Sequence, residues 1–219
     1  MVTLWPGYEH YWKLLFNPVH LFQPFVDLDH WKRKDTKYDF EGKRGGINVV
    51  IADIWRKDKD PFHMMHAFSL FAERHPEARL HCFGVDKFGK GRDILMKCLA
   101  DLGVLGDVQQ IIGNLEDVYS AADMLITPHK IATRTVRESL ACGLQVVAGF
   151  GNPYTPYTAD EEDLPLFADA MEKAWYDWHE NREGRIKENR ATAEREFDVK
   201  VTAKQFVNLF TELTERKTA

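Results

Sequence analysis

The chain has 219 residues, a formal net charge of −5 and a pI near 6.0. This length suits one large domain, or one domain with appendages, and allows a substantial core. The acidic balance argues against a general electrostatic attraction to nucleic acid or to an anionic membrane. Because no apolar run approaches transmembrane length and the start lacks the basic-then-apolar order of a signal peptide, we expect a cytoplasmic protein without a transmembrane segment.

Residues 1–45 differ from the rest of the chain. They are rich in aromatic residues, proline and charge, with no clean periodicity. We interpret them as an N-terminal extension or an interdomain-type linker. Five aromatic side chains are candidates for an exposed apolar surface here: Tyr8, Trp12, Phe16, Phe22 and Phe25.

From residue 46 onward, short apolar runs alternate with segments of helical periodicity. The runs that predict buried parallel strands are INVVIAD, ARLHCFG, VQQIIG, DMLITP and LQVVAG. A helix following Pro61 places Met64, Phe68 and Phe71 on one face, and the next predicted helix repeats Ile94, Cys98 and Leu102 at every fourth position. This alternation predicts an α/β fold with a Rossmann-like parallel sheet flanked by helices over residues 46–185.

The end of the chain is predicted to be helical. Leu164–Trp178 has apolar side chains at helical spacing, a charged stretch follows, and the final helix aligns Phe206, Phe210 and Leu213. We assign residues 186–219 to C-terminal helices that pack on the sheet domain.

The three cysteines, Cys82, Cys98 and Cys142, are odd in number and lie among apolar neighbours. This distribution favours reduced core residues over a disulfide or a metal site.

The segment from Val118 to Gly149 is the most informative part of the sequence. It predicts a buried strand, a polar loop at residues 128–135, a helix containing Glu138 and a second buried strand. In parallel sheets ligands bind at the carboxyl ends of the strands, so the polar loop is the expected functional edge.

Residues 48–213 resemble the C-terminal, donor-binding half of the group 1 (family 4) glycosyltransferases, which have the two-domain GT-B fold. The segment RESLACGLQVVAG is similar to the family pattern E-A-x-A-C-G-x-P-V-V-A, with Gln145 in place of the usual proline. DPFHMMHAFSLFAERHPEARLHCFGVD resembles the family's first helix and second strand, and VDLDHW resembles its interdomain linker.

The resemblance implies a donor site for a nucleotide-diphosphate sugar and no other cofactor. Glu138 aligns with the glutamate that accepts hydrogen bonds from the donor ribose, and Lys59 aligns with the lysine that binds the diphosphate. Arg56 lies close to the position of that lysine's arginine partner. The remaining residues expected at the phosphates are the glycine that ends the second strand and three residues at the loop-to-helix transition: Gly84, Thr133, Arg134 and Thr135. His129 is either a phosphate ligand or an ordinary loop residue.

Several positions depart from the family pattern. Lys130 falls where the family has a catalytic-site glutamate that faces the donor sugar, which reverses the charge there. The family's G-G-x-P-E loop and the strand after it are replaced by FGNPYTPYTADEEDLP, and the N-terminal, acceptor-binding domain has no counterpart.

The expected function is therefore that of a glycosyltransferase donor-binding domain, retaining and metal-independent. The acceptor half would come from a separate chain, from self-association or from a larger parent protein. The alternative is a glycosyltransferase-like binding or assembly module without turnover, which the Lys130 position and the shortened loop favour.

A third alternative is a phosphate-transferring enzyme. Residues 84–90 match the first part of a P-loop, but Gly91 occupies the position of the hydroxyl residue that would hold Mg²⁺. The motif also follows the second strand, whereas a P-loop normally follows the first. The sequence favours a turn near the ligand at this position.

Overall fold

The structure is a computed structural model that describes residues 2–3, 8–16, 18–22, 24–35, 38–40, 46–53, 62–84, 90–110 and 113–218. The strands are β1 (Val2–Thr3), β2 (His20–Leu21), β3 (Asn48–Ala52), β4 (Arg79–Phe83), β5 (Leu105–Gln109), β6 (Met124–Ile126), β7 (Gln145–Gly149) and β8 (Thr158–Ala159). The helices are α1 (Tyr8–Lys13), α2 (Phe62–Arg74), α3 (Lys90–Asp101), α4 (Leu115–Ala121), α5 (Arg134–Ala141), α6 (Leu164–Glu180), α7 (Arg182–Phe197) and α8 (Val199–Thr218). None of the helices in these ranges is long and apolar enough to cross a membrane.

The main sheet has six strands in the order β5-β4-β3-β6-β7-β8, and every neighbouring pair is parallel. The chain runs outward from β3 to β5, returns to β6 beside β3, and then runs outward to β8 on the other side. This doubly wound topology confirms the predicted Rossmann-like α/β fold.

Apolar residues cover both faces of the sheet, as continuous apolar strands require. Along β3, Val49 and Ile51 face one core with α2 and α6, whereas Val50 and Ala52 face a second core with α4, α5 and α7. The alternation follows from the two-residue side-chain period of a strand. The structure therefore has three layers, with helices on each side of the sheet.

Helix α3 is rotated relative to the sequence-based expectation. Ile94 and Leu102 are 64% and 68% exposed, and the predicted core residue Cys98 is also exposed. The buried position is Leu99, which packs in the core with α2. Adjacent helical residues point about 100° apart, because a turn holds 3.6 residues, so burying Leu99 turns Cys98 toward solvent.

The other two cysteines agree with the prediction. Cys82 and Cys142 are buried, and burial raises the pKa of each thiol to about 12. Both therefore remain uncharged thiols at neutral pH.

Two strands differ from the sequence-based expectation. The third strand of the domain, β5, spans Leu105–Gln109 and so begins earlier than the predicted run at residue 108. The strand expected to be lost after β7 is present as β8, which pairs in parallel with the end of β7. The loop between β7 and β8 is therefore short, but the sixth strand of the sheet is retained.

Part of the N-terminal extension packs on the domain. The Val26 backbone pairs with the junction between α7 and α8. Its N–H donates to the carbonyl of Phe197, the last residue of α7, over 2.8 Å. Phe22, expected in an exposed apolar surface, is instead 4% exposed and contacts Phe206 of α8 with ring centroids 4.1 Å apart. Phe16 and Phe25 remain exposed, by 44% and 43%.

The predicted domain division stays a prediction. Its boundary at residue 185 lies inside α7, which the structure describes as one helix.

Candidate functional site

The topology creates a crevice at the carboxyl ends of β3 and β6. The chain leaves these adjacent strands in opposite directions, which is the switch point where open α/β sheets bind ligands. Helix α5 begins at the same edge, since it follows β6 after a short loop. Its Thr135 hydroxyl donates to the carbonyl of Ala52, the last residue of β3, over 2.8 Å. This bond fixes the first turn of α5 over the crevice.

A carboxylate and an imidazole meet directly at the switch point. Asp53 follows β3 and His129 follows β6, and their Oδ2 and Nε2 atoms are 2.6 Å apart. The carboxylate can only accept, so His129 Nε2 is the donor. Their side chains are 19% and 16% exposed. The pair fixes the orientation of the imidazole at the crevice.

The first turn of α5 offers backbone donors to an anion. Thr133 precedes the helix in an extended conformation, but its side chain does not cap the helix. Its Oγ1 is buried and has no hydrogen-bond partner among the described residues. The first N–H groups of any helix lack intrahelical acceptors and lie at the positive end of its dipole. The N-terminus of α5 is therefore chemically suited to bind an anion.

One turn further along α5, Glu138 is buried with 6% of its side chain exposed. Desolvation raises the pKa of the Glu138 carboxyl, although the hydrogen bond from Arg134 acts in the opposite direction. Arg134 Nε donates to Glu138 Oε1, and this contact raises the pKa of the guanidinium. The Arg134 side chain is 78% exposed. Arg134 therefore binds one of the two carboxylate oxygens of Glu138 and lies between that oxygen and the solvent.

The loop between β6 and α5 lies directly over the end of β7. A Cβ atom at Gly149 would be 2.1 Å from the Pro128 carbonyl oxygen, so only glycine permits this approach. Asn152 Nδ2 donates to the carbonyls of His129 and Ile131 over 3.0 and 3.2 Å. The turn after β7 thus holds the loop in place from its far side.

Comparisons with known proteins bear on the fold. No protein-family model and no curated protein matches the sequence. Solved structures do match. A glycosyltransferase from Rickettsia africae superimposes with a TM-score of 0.80 at 12% identity, over 97% of this chain and 63% of that one. Sucrose-phosphate synthase from Thermosynechococcus elongatus gives 0.79 at 17% identity, over 98% and 58%. The Anabaena protein HepE, solved in complex with UDP-glucose, gives 0.77 at 14%, over 96% and 63%.

The chain has the fold of a GT-B glycosyltransferase domain. The expected fold is thereby confirmed. The chain spans only about three fifths of the length of these solved structures.

Within this GT-B domain, the structure brings most of the predicted site residues to one edge of the sheet. Gly84 directly follows β4, has a φ of +87° and lies one strand away from the switch point. Lys130 lies on the loop over β7, and its ammonium is 3.4 Å from Glu161 Oε2. Lys59 and Arg56 lie outside the described residues. The residues gathered at the edge are Gly84, Lys130, Thr133, Arg134, Thr135 and Glu138.

Sequence reasoning did not find three polar residues at the edge of the GT-B domain. Asp53 could have been suspected because it ends the apolar run INVVIAD with a carboxylate. The sequence does not point to Asn152 or Glu161, because each contacts a loop that is distant in sequence. In the described part of the chain, no group of three or more His, Cys, Asp or Glu is placed to hold a metal ion.

Proposed function

We propose that this domain binds a nucleotide-diphosphate sugar at the β3–β6 crevice and acts in glycosyl transfer. The observation that supports the proposal most directly is the N-terminus of α5, fixed over the switch point by the Thr135–Ala52 hydrogen bond. A diphosphate at this position would meet free backbone N–H groups and a favourable dipole. The GT-B fold, shared with a protein solved with UDP-glucose, is consistent with that ligand class.

His129 is proposed as an additional diphosphate ligand. Its Nε2 is held by the Asp53 carboxylate, so its Nδ1 edge is the one left to face an anion. A phosphate at that edge would accept a hydrogen bond from Nδ1 of an imidazole in which both ring nitrogens donate. Lys59 and Arg56 are proposed to act on the same phosphates, as the family resemblance implies.

Glu138 is proposed to bind the ribose. Arg134 occupies only Oε1, so Oε2 can accept a ribose hydroxyl. Hydrogen bonds to a desolvated carboxylate are strong because the charge has few competing water contacts. Arg134 is exposed enough to turn toward the phosphates when the nucleoside approaches.

The proposed reaction is retaining and independent of a bound metal, on the basis of the family resemblance of the α5 motif. The protein would then act mainly by stabilising charge on the departing diphosphate. An acceptor-binding half is required to orient the second substrate and to exclude water. We propose that this half is supplied by another chain, by self-association or by a larger parent protein.

The alternative is a binding or assembly module without turnover. The observation that favours it is Lys130, which places an ammonium in the loop before α5 where the related family has a carboxylate. This alternative predicts nucleotide binding without transfer under any pairing.

Calorimetric titration with UDP, GDP, ADP and dTDP, with and without Mg²⁺, tests the proposal. We expect one diphosphate to bind selectively and without Mg²⁺. Glu138→Ala should abolish that binding. His129→Ala should lower the affinity for the diphosphate while leaving the affinity for the free nucleoside unchanged. Failure of the wild-type chain to bind any of the four would refute a donor site.

A further inference from the structure

Helix α3 exposes a row of apolar side chains, which we call the α3 stripe: Ile94, Cys98 and Leu102. The three residues lie at every fourth position, so they follow one side of the helix. All three are exposed to solvent. Another side of α3 packs on the domain, because Leu99 is buried in the core with α2. The packing of Leu99 therefore directs the stripe outward.

The α3 stripe lies beside an edge of the main sheet. β5 is the terminal strand in the described strand order, and α3 precedes it in the chain and contacts it. Val108 of β5 is 37% exposed. An edge strand presents backbone groups that pair with no neighbouring strand, and natural proteins usually protect such edges. An apolar helix face next to an edge strand is therefore typical of a protein contact surface.

The charges next to the α3 stripe are self-complementary. Lys97 Nζ and Asp101 Oδ2 are 2.8 Å apart, and the two side chains are 73% and 65% exposed. Because they are four residues apart, they lie on the same flank of the stripe. In an antiparallel pair of α3 helices, Lys97 of each copy faces Asp101 of the other. The same two-fold axis, near Cys98, places Ile94 of each copy opposite Leu102 of the other.

We propose that the α3 stripe is a self-association surface, on which a second copy of this chain packs antiparallel across a two-fold axis. Such a contact uses the same patch on both subunits, so the patch must be complementary to itself. The order of Lys97 and Asp101 meets this requirement, which a different partner protein would not impose. β5 is two strands away from β3 in the sheet. The contact therefore lies outside the proposed donor site and does not depend on the proposed function.

Sedimentation equilibrium of the full chain, from micromolar concentrations up to about 1 mM, measures the dimer. One helix pair buries less than the ~1,200 Å² of a stable specific interface, so we expect a dissociation constant in the micromolar range. Leu102→Glu should raise this constant roughly tenfold or more, because it places a carboxylate against apolar Ile94 of the second copy. Leu166→Glu is the matched control, since Leu166 is 56% exposed on α6, outside the stripe. It should leave the constant unchanged.

Charge reversal tests the antiparallel arrangement. Lys97→Glu alone and Asp101→Lys alone should each weaken the dimer, because each places like charges opposite each other at two symmetric positions. The double variant Lys97→Glu/Asp101→Lys restores opposite charges across the axis and should recover most of the wild-type affinity. Circular dichroism should show equal helix content in all variants. Failure of the double variant to recover affinity would overturn the antiparallel order.

Cross-linking provides a second readout that requires no substitution in the stripe. A short bismaleimide should join Cys98 of one copy to Cys98 of the other, because the proposed axis passes near this thiol and the other two cysteines are buried. Cys98→Ser should abolish the cross-linked species. A chain that stays monomeric up to about 1 mM, or a dimer unaffected by Leu102→Glu, would overturn the proposed surface. Neither measurement involves a nucleotide, so the result is separate from the test of the donor site.

Discussion

At the scale of single residues, Glu138 is subject to opposing demands from folding and from the proposed binding. Desolvation raises the pKa of this carboxyl, so keeping it ionised at neutral pH costs folding free energy. The Arg134 contact offsets only part of that cost, because the guanidinium is 78% exposed and screened by water. A charged residue that destabilises its own helix is typical of a functional site.

Glu138→Gln is therefore expected to increase the free energy of unfolding at pH 7 and to weaken nucleotide binding, because a neutral amide oxygen accepts a weaker hydrogen bond than a carboxylate. A raised folded-state pKa adds stability below the ordinary pKa of 4.5, and that stability is lost as the pH rises through the folded value. The advantage of the variant should thus shrink as the pH falls from 7 toward 5. Urea unfolding across this range measures it, with Glu212→Gln as an exposed helical control. A variant less stable than wild type at pH 7 would contradict the argument.

At the scale of elements, the turn between α5 and β7 fixes the helix that lines the crevice. Gly143 has φ of +74°, and a Cβ there would be 2.8 Å from Ile186 Cγ2 and 3.0 Å from the Ile186 carbonyl oxygen of α7. The position therefore needs glycine both for its backbone conformation and for close packing of α7.

An alanine series separates these two effects by urea unfolding. Gly143→Ala should lose about 2–4 kcal/mol, because left-handed strain and overpacking add. Gly103→Ala should lose only about 1 kcal/mol, since its φ is +70° but a Cβ would have no atom within 4 Å. Gly113→Ala, with open space and no left-handed φ, should change stability by less than about 0.5 kcal/mol. Equal losses at Gly143 and Gly103 would show that the contact with Ile186 is unimportant.

A second element-scale prediction concerns the loop that precedes α5. Asn152 is 3% exposed, donates to two carbonyls of that loop and accepts from the Tyr154 N–H over 3.1 Å. Asn152→Ala should lower the free energy of unfolding by roughly 1–3 kcal/mol, because buried carbonyls lose their donor. It should also weaken diphosphate binding, since His129 lies in the loop. Asn208→Ala, on the exposed face of α8, should change neither quantity. Unchanged affinity in a destabilised Asn152→Ala protein would separate the loop from the site.

The same elements show how far the sequence could predict the site. The central strands were predictable because both of their faces are buried, which gives continuous apolar runs. The rotation of α3 was not, because Cys98 and Leu99 are both apolar and only packing selects between them. The contacts of Asp53 with His129 and of Lys130 with Glu161 join residues distant in sequence. Local periodicity contains no information about such pairs.

At the scale of the whole molecule, the chain matches only part of the solved structures that share its fold. The chain spans 63% of the Rickettsia africae glycosyltransferase and 58% of the sucrose-phosphate synthase. Large apolar side chains also remain in solvent in the N-terminal extension and on α8, including Phe16 at 44% and Phe210 at 63%. These side chains are candidates for a contact with the acceptor-binding half that the proposed function requires.

The proposed function predicts donor binding without turnover for this domain by itself. A single domain can hold the donor, but it cannot orient an acceptor or exclude water from the reacting bond. With UDP-glucose and GDP-mannose as donors, we expect calorimetry to detect binding while chromatography detects no release of diphosphate above the protein-free rate. Glu138→Gln is the matched control for both measurements, since it removes the negative charge from the proposed ribose contact and keeps the fold. Diphosphate release by the wild-type chain that disappears in Glu138→Gln would show that one domain suffices for catalysis, because contamination would affect both preparations equally.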